Sequence, residues 1–230
     1  MTKAKIGNFF EDYHVGMEFN HPIPRSLGVG EKAIYQSLYP NRFSIYSSDT
    51  FASECGFLRS PLDNLIVFHT IFGKSVPDIS LNAIANLAYF QGRFFNPVYD
   101  GDTLLAKSKV IGLKQNSNGK SGLVYVNTKG FNQKNEIVLD YSRCVMIKKN
   151  NLNSPPPPPL IPEIDKVVDP KNFYLPEELN FLNYNFDLSG SRNKLDDYDV
   201  GEEIFHIGFC QQTHLGSEPK SLSYGIQPFE

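Results

Sequence analysis

The chain has 230 residues, 40% hydrophobic and 20% charged, the proportions of an ordinary globular protein that could hold one large or two small domains. Its net charge of −3 gives no electrostatic footing for nucleic acid or an anionic membrane surface. No run of about 18 apolar residues exists. The opening residues MTKAKIGNFFEDYHVG lack the apolar stretch of a signal peptide. Cys55, Cys144 and Cys210 are widely separated, with no CxxC, which suits inert thiols in a reducing, cytoplasmic setting.

Residues 7–24 read as a loop entering a short strand. Residues 28–40 predict a helix after a glycine turn, with Ala33, Ile34, Ser37 and Leu38 on one face. Within 41–59 a short helical segment is expected, capped by Ser48 or Asp49 and ended by Gly56. The dominant stretch is SPLDNLIVFHTIFGKSVP, 60–77. Ser60 suits the N-cap, Pro61 the first helical position and Asp63 a capping-box acid; Gly73 and Pro77 suit a stop. Its apolar residues cover nearly the whole circumference, so this helix should be buried on most sides. It is too short to span a bilayer.

After Pro77 the pattern turns to strands over 86–95, 103–114, 122–131 and 136–149, with turn clusters between them. Lys148 and Lys149 suit a strand leaving the core. The expected class is α+β: a curved antiparallel meander wrapped around one buried central helix, each covering the other's apolar surface. This domain should occupy 1–150. A linker follows over 151–188; it contains five consecutive prolines, which donate no backbone hydrogen bonds and favour a stiff extension. Residues 163–188 are weakly patterned.

A repeat then appears. EDYHVGMEFNH (11–21) returns as DDYDVGEEIFH (196–206), with six matches in the ten positions 12–21 at an offset of 185. Duplication of a domain is the natural reading. The first copy is followed by about 130 residues, the second by 24. Residues 189–230 are therefore expected to open a second domain that is cut short, its last residues being compatible with a shifted reading frame.

At RFFNPVYDGDTLLAKSKVIGLK (93–114) the sequence resembles the MaoC-like hydratase/dehydratase family of the hot-dog fold. GNFFEDYHVG (7–16), SSDTFASECGF (47–57), FGKSVPDISLNAIANL (72–87) and GLVYVNTKGFNQ (122–133) bring it nearer to the mesaconyl-CoA hydratase (β-methylmalyl-CoA dehydratase) branch. The resemblance implies two hot-dog domains in one chain. It implies a hydro-lyase acting on CoA thioesters, interconverting enoyl-CoA and β-hydroxyacyl-CoA without a cofactor. In the wider family an Asp/His pair holds the attacking water, and backbone N–H groups at the start of the central helix steady the thioester oxyanion. Aligned through Phe51 and Ala52, those positions hold Asn41 and Tyr46, and the family's His-Gly pair becomes Asn64 and Leu65. Neither Asn41 nor Tyr46 is a base near neutral pH. The first domain therefore reads as the non-catalytic half, and 1–230 alone is expected to be weakly active or inactive. A non-catalytic acyl-CoA-binding module and an acyl-CoA thioesterase are the alternatives. Edge-to-edge pairing of the fold implies a homo-oligomer.

Candidate substrate contacts are Asp63, Asn64, His69, Asn82, Asn86 and Arg93. The plainer readings compete: a helix cap for Asp63, a satisfied core histidine for His69, loop caps for Asn82 and Asn86, and strand-surface pairing for Arg93 as against a CoA phosphate. His21 and His206 read as structural. Asp49, Glu54 and Asp63 lack a histidine at ligand spacing, so no metal is assigned. Gly28 and Gly30 do not make a dinucleotide fingerprint.

Overall fold

The computed structural model describes residues 7–39, 43–165 and, with interruptions, 169–204. Asn41, His206, Cys210 and the tail they belong to or adjoin, 205–230 in the latter two cases, lie outside the described residues. Five antiparallel strands form one sheet: β1 (Glu18–Ser26), β2 (Ala83–Phe94), β3 (Thr103–Gln115), β4 (Ser121–Phe131) and β5 (Ile137–Lys148), in the order β1-β3-β4-β5-β2. The helices are α1 (Val29–Leu38), α2 (Ser44–Ser47), α3 (Asp49–Glu54) and α4 (Asn64–Ser75). Consecutive hairpins join β3, β4 and β5, as their alternation predicts. A plain meander would also place β2 beside β3, and it does not lie there. Ser75, the last residue of α4, bonds to Arg143 of β5, so the chain leaves the helix beside β5 and starts β2 on that edge.

The central helix begins three residues later than its punctuation suggests. Asp63 is the N-cap, its Oδ1 accepting from the Leu65 amide at 2.7 Å. Ser60 is engaged elsewhere: its amide donates to Asp49 Oδ1 at 3.0 Å and its hydroxyl accepts from Lys32 Nζ at 2.8 Å. Pro61 therefore precedes the helix. Gly73 does not stop it either; α4 runs to Ser75 and continues as a π turn over Val76–Ser80, through Pro77. Asp49 begins α3, with Ser48 as its cap.

The sheet jackets one side of α4. Ile66, Val67 and Ile71 are buried against it, each burial contributing about 1.5–3 kcal/mol. The opposite side is open, with Leu65 51% exposed and His69 and Gly73 beside it. His69 is thus not a core residue: its position on the helix turns it away from the sheet. Gly130 of β4 allows the close approach of α4, because a Cβ there would lie 2.7 Å from Ile71 Cδ1 and Cγ1. Bulges bend the strands: β1 shifts register between His21 and Arg25, and β2 between Phe90 and Arg93, where Gln91 has φ 54.

Two buried polar groups fix the core. His21 Nδ1 lies 2.6 Å from Asp78 Oδ2 and its Nε2 lies 2.7 Å from Ser108 Oγ, which is 2.8 Å from Thr128 Oγ1. The chain of contacts ties β1, the π turn, β3 and β4. Arg143 is fully buried under the C-terminal end of α4. It donates to Ser75 Oγ (3.0 Å) and Asn86 Oδ1 (3.3 Å) and lies 4.7 Å from the Phe72 ring centre. A cation there also meets the negative end of the helix dipole.

The linker is fastened to the domain. Leu113 and Leu160 exchange backbone hydrogen bonds of 2.8 Å, laying the prolines beside β3 past the end of β1. Lys149 is buried rather than solvated, because its ammonium donates to Gln115 Oε1 and the Ser154 carbonyl. Further on, Asn180 N donates to the Cys55 carbonyl at 2.8 Å and Tyr184 meets Phe51 edge-on at 5.1 Å.

The sequence repeat is also a repeat of conformation. A 3-10 turn at Leu195–Asp197 matches one at Phe10–Asp12. Gly201 has φ 91 where Gly16 has φ 86. Glu202 N bonds to Asp199 O at 3.1 Å, as Met17 N bonds to His14 O at 3.1 Å. What differs is the surroundings: Tyr13 is 4% exposed and Tyr198 45%.

Candidate functional site

A cleft of about 270 Å³ opens at the N-terminal end of α4. Its floor is the start of the helix, Pro61 and Asn64. One wall is the small helical cluster, with Phe43, Ile45, Tyr46 and Phe57; another is the end of β2 and the turn after it, with Phe94, Phe95 and Pro97. Tyr174 and Leu179, from the part of the linker beyond its prolines, close it. The cluster holds together because Phe51, Ala52 and Cys55 are buried behind the cleft-facing residues.

The polar groups converge on the helix start. Burial pushes the Tyr46 hydroxyl up to about 12, helped by the Asp63 carboxylate and opposed by the Asn64 backbone. At neutral pH Tyr46 is therefore a protonated hydrogen-bond donor. Among the described residues lining the cleft there is no carboxylate and no imidazole. The arrangement can hold an apolar group and present it to N–H and O–H donors; it contains no acid/base pair.

Three of the sequence candidates meet here: Asn64, Tyr46 and Arg93 all contribute to the lining. Asp63 stands just beneath, as the helix cap. Arg93 contributes to the lining from the end of β2. The next residue along β2, Phe94, packs into the core, so the Arg93 side chain belongs to the outward face, in register with Asp140. Asp140 is itself engaged by Asn127 Nδ2 at 2.6 Å and Lys129 Nζ at 3.4 Å. The other candidates lie elsewhere. His69 lines a shallower groove between α1 and α4, with Arg25, Glu31 and Leu38. Asn82 donates to the Asn8 carbonyl at 3.3 Å, tying the N-terminal loop to the start of β2. Asn86 accepts from Arg143.

Sequence reasoning missed the aromatic lining, Phe43, Phe57 and Phe95, and the closing residues Tyr174 and Leu179. The signal for the first group was the density of aromatics flanking the predicted helix and strand. For Tyr174 and Leu179 local pattern held none, since they reach the cleft only by tertiary packing.

A helix laid on a curved five-stranded antiparallel sheet, with a cleft at the helix start, defines a MaoC-like hot-dog protein. A sequence profile described as mesaconyl-CoA hydratase matches residues 1–155. A mesaconyl-CoA hydratase of Cereibacter sphaeroides is 49% identical over 205 residues, 89% of this chain and 60% of that one. A solved structure from Chloroflexus aurantiacus, titled as a MaoC domain protein dehydratase, is 48% identical with a TM-score of 0.81, covering 88% of this chain and 57% of the other. A Mycobacterium tuberculosis protein described as having a double hot-dog fold is 27% identical with a TM-score of 0.59, covering 65% and 46%. The chain belongs to the mesaconyl-CoA hydratase family, and it spans about 60% of the length of the curated relative it matches.

Proposed function

We propose that residues 1–150 form the acyl-holding, non-catalytic half of a hydro-lyase acting on CoA thioesters. The reaction interconverts an enoyl-CoA and its β-hydroxyacyl-CoA, with mesaconyl-CoA and β-methylmalyl-CoA as the favoured pair. The observation that carries this reading is the cleft at the start of α4: apolar walls, the neutral amide of Asn64, and a protonated Tyr46 where the family pattern has its histidine. The Asp/His pair then belongs to a second hot-dog unit, of which 189–230 is the opening. The repeated turn at 195–204, with Tyr198 uncovered, supports that division. Hydration of an enoyl thioester needs only a positioned water and proton transfers, so no cofactor enters the scheme. A CoA-ester substrate and reduced cysteines suit the cytoplasm; no helix among the described residues is long and apolar enough to cross a membrane.

The fold also offers a partner surface. β2 is an edge strand of 12 residues whose Ile84, Leu87 and Tyr89 are about half exposed, beside the open side of α4. An unpaired apolar edge of that length invites a second sheet, so pairing with another hot-dog unit is part of the proposal. Loss of enoyl-thioester absorbance tests the catalytic assignment. The 230-residue chain should bind CoA esters in a calorimeter while turning over little or none of the mesaconyl-CoA; turnover at the rate of a full two-domain relative would refute it. Binding without turnover, even when a second hot-dog unit is supplied, would favour the pure binding module.

A further inference from the structure

The stretch of the linker after its prolines is weakly patterned, yet it is held against the domain at several independent points. Asn180 N donates to the Cys55 carbonyl at 2.8 Å, and Asn183 Nδ2 donates to the Glu54 carbonyl at 2.9 Å. Gly56 has φ 98, and a Cβ on it would sit 1.9 Å from the Glu178 carbonyl oxygen. Neither the backbone conformation nor the space at that position admits a side chain, so the glycine is a seat for the strap. Tyr184 closes the far end against Phe51. Within this anchored segment Leu179 turns toward the helical cluster and lines the cleft, while the Tyr174 ring lies tilted against Phe95, also of the lining, with centres 4.9 Å apart.

We propose that Tyr174 and residues 177–184 form the outer wall of the acyl cleft, and that Leu179 and Tyr174 set the longest acyl chain it accepts. The inference rests on the acyl-CoA reading above and adds to it a size limit. The cleft's volume of about 270 Å³ falls just below the range of roughly 300–1,000 Å³ that holds drug-sized ligands. Such a space suits a short acyl group and turns away a long one, and the residues that close it come from the connection between the two halves, not from the sheet or from α4. The linker is then part of the binding site as well as a tether.

Calorimetry on the full chain with butyryl-CoA and decanoyl-CoA tests the limit. The unaltered chain binds butyryl-CoA in preference to decanoyl-CoA. Leu179→Ala removes three side-chain carbons from the wall and shifts the ratio of the two affinities about tenfold toward decanoyl-CoA. Gly56→Ala lifts the strap from its seat without touching the lining and shifts the ratio in the same direction. Circular dichroism checks that each variant is folded; should Gly56→Ala unfold, Leu179→Ala decides alone. An unchanged ratio in a folded Leu179→Ala variant, with both probes binding, overturns the size limit and leaves the acyl-CoA reading intact. Failure of the unaltered chain to bind either ester overturns that reading, and the size limit with it.

Discussion

Gly130→Ala is the sharpest probe of how α4 meets the sheet. The new methyl carbon would lie 2.7 Å from both Cδ1 and Cγ1 of Ile71, well inside ordinary carbon contact. Ile71 is fully buried in the middle of the helix and has no room to swing aside. Overpacking of this kind costs about 1–3 kcal/mol. For a domain of this size each kcal/mol lowers the melting midpoint by roughly 2–4 °C. Urea denaturation followed by circular dichroism should show a lower midpoint with an unchanged slope, the mark of a stability change in a two-state unfolding. Ile71→Val alone should cost about 0.5–1.5 kcal/mol. In the Gly130→Ala background it should cost less, or stabilise, because it removes Cδ1, one of the two clashing atoms. Strict additivity of the two changes, or a silent Gly130→Ala, would show that the helix does not sit on β4 in this way.

Other consequences are equally direct. Asp63→Ala removes the side-chain cap of α4 and should destabilise by about 0.5–2 kcal/mol in thermal melts, and by more than Ser48→Ala if α4 is the element the core depends on. Tyr46 gives a pH signature: its folded pKa is raised to about 12 from the ordinary 10.0, so the folded state holds the phenolic proton more tightly. The stabilisation is complete below pH 10 and is lost as pH rises towards 12, and Tyr46→Phe should flatten that part of the stability–pH curve. Tyr13 is shifted in the same direction by burial, so some slope should survive. Leu87→Lys places a charge on the exposed β2 edge; light scattering should show the unaltered chain self-associated and the variant shifted toward monomer.

Much of the fold was readable because it depends on local chemistry. The alternation in 103–114, 122–131 and 136–149 needs no knowledge of neighbours, and those runs became β3, β4 and β5 within a residue or two. The Ser48 cap and the end at Gly56 were similarly local. The central helix shows where this stops. Ser60 and Pro61 carry the local marks of a helix start, but Lys32 and Asp49, 28 and 11 residues away in sequence, claim Ser60, and the start moves to Asp63. Likewise its apolar circumference could not say which side the sheet would cover and which, Leu65 and His69 included, would be left open.

By itself, then, the sequence determined the elements, their class and the family, since periodicity, capping residues and motif spacing are properties of short stretches. It also placed Asn64 at the start of the central helix. Only the tertiary structure decided that β2 lies beside β5, that Arg143 is buried beneath α4, and that Leu179 and Tyr174 reach back to close the cleft. Those contacts join residues tens to more than a hundred positions apart. Burial energy is gained from whatever surface the folded chain brings together, and no local pattern encodes which distant surface that will be.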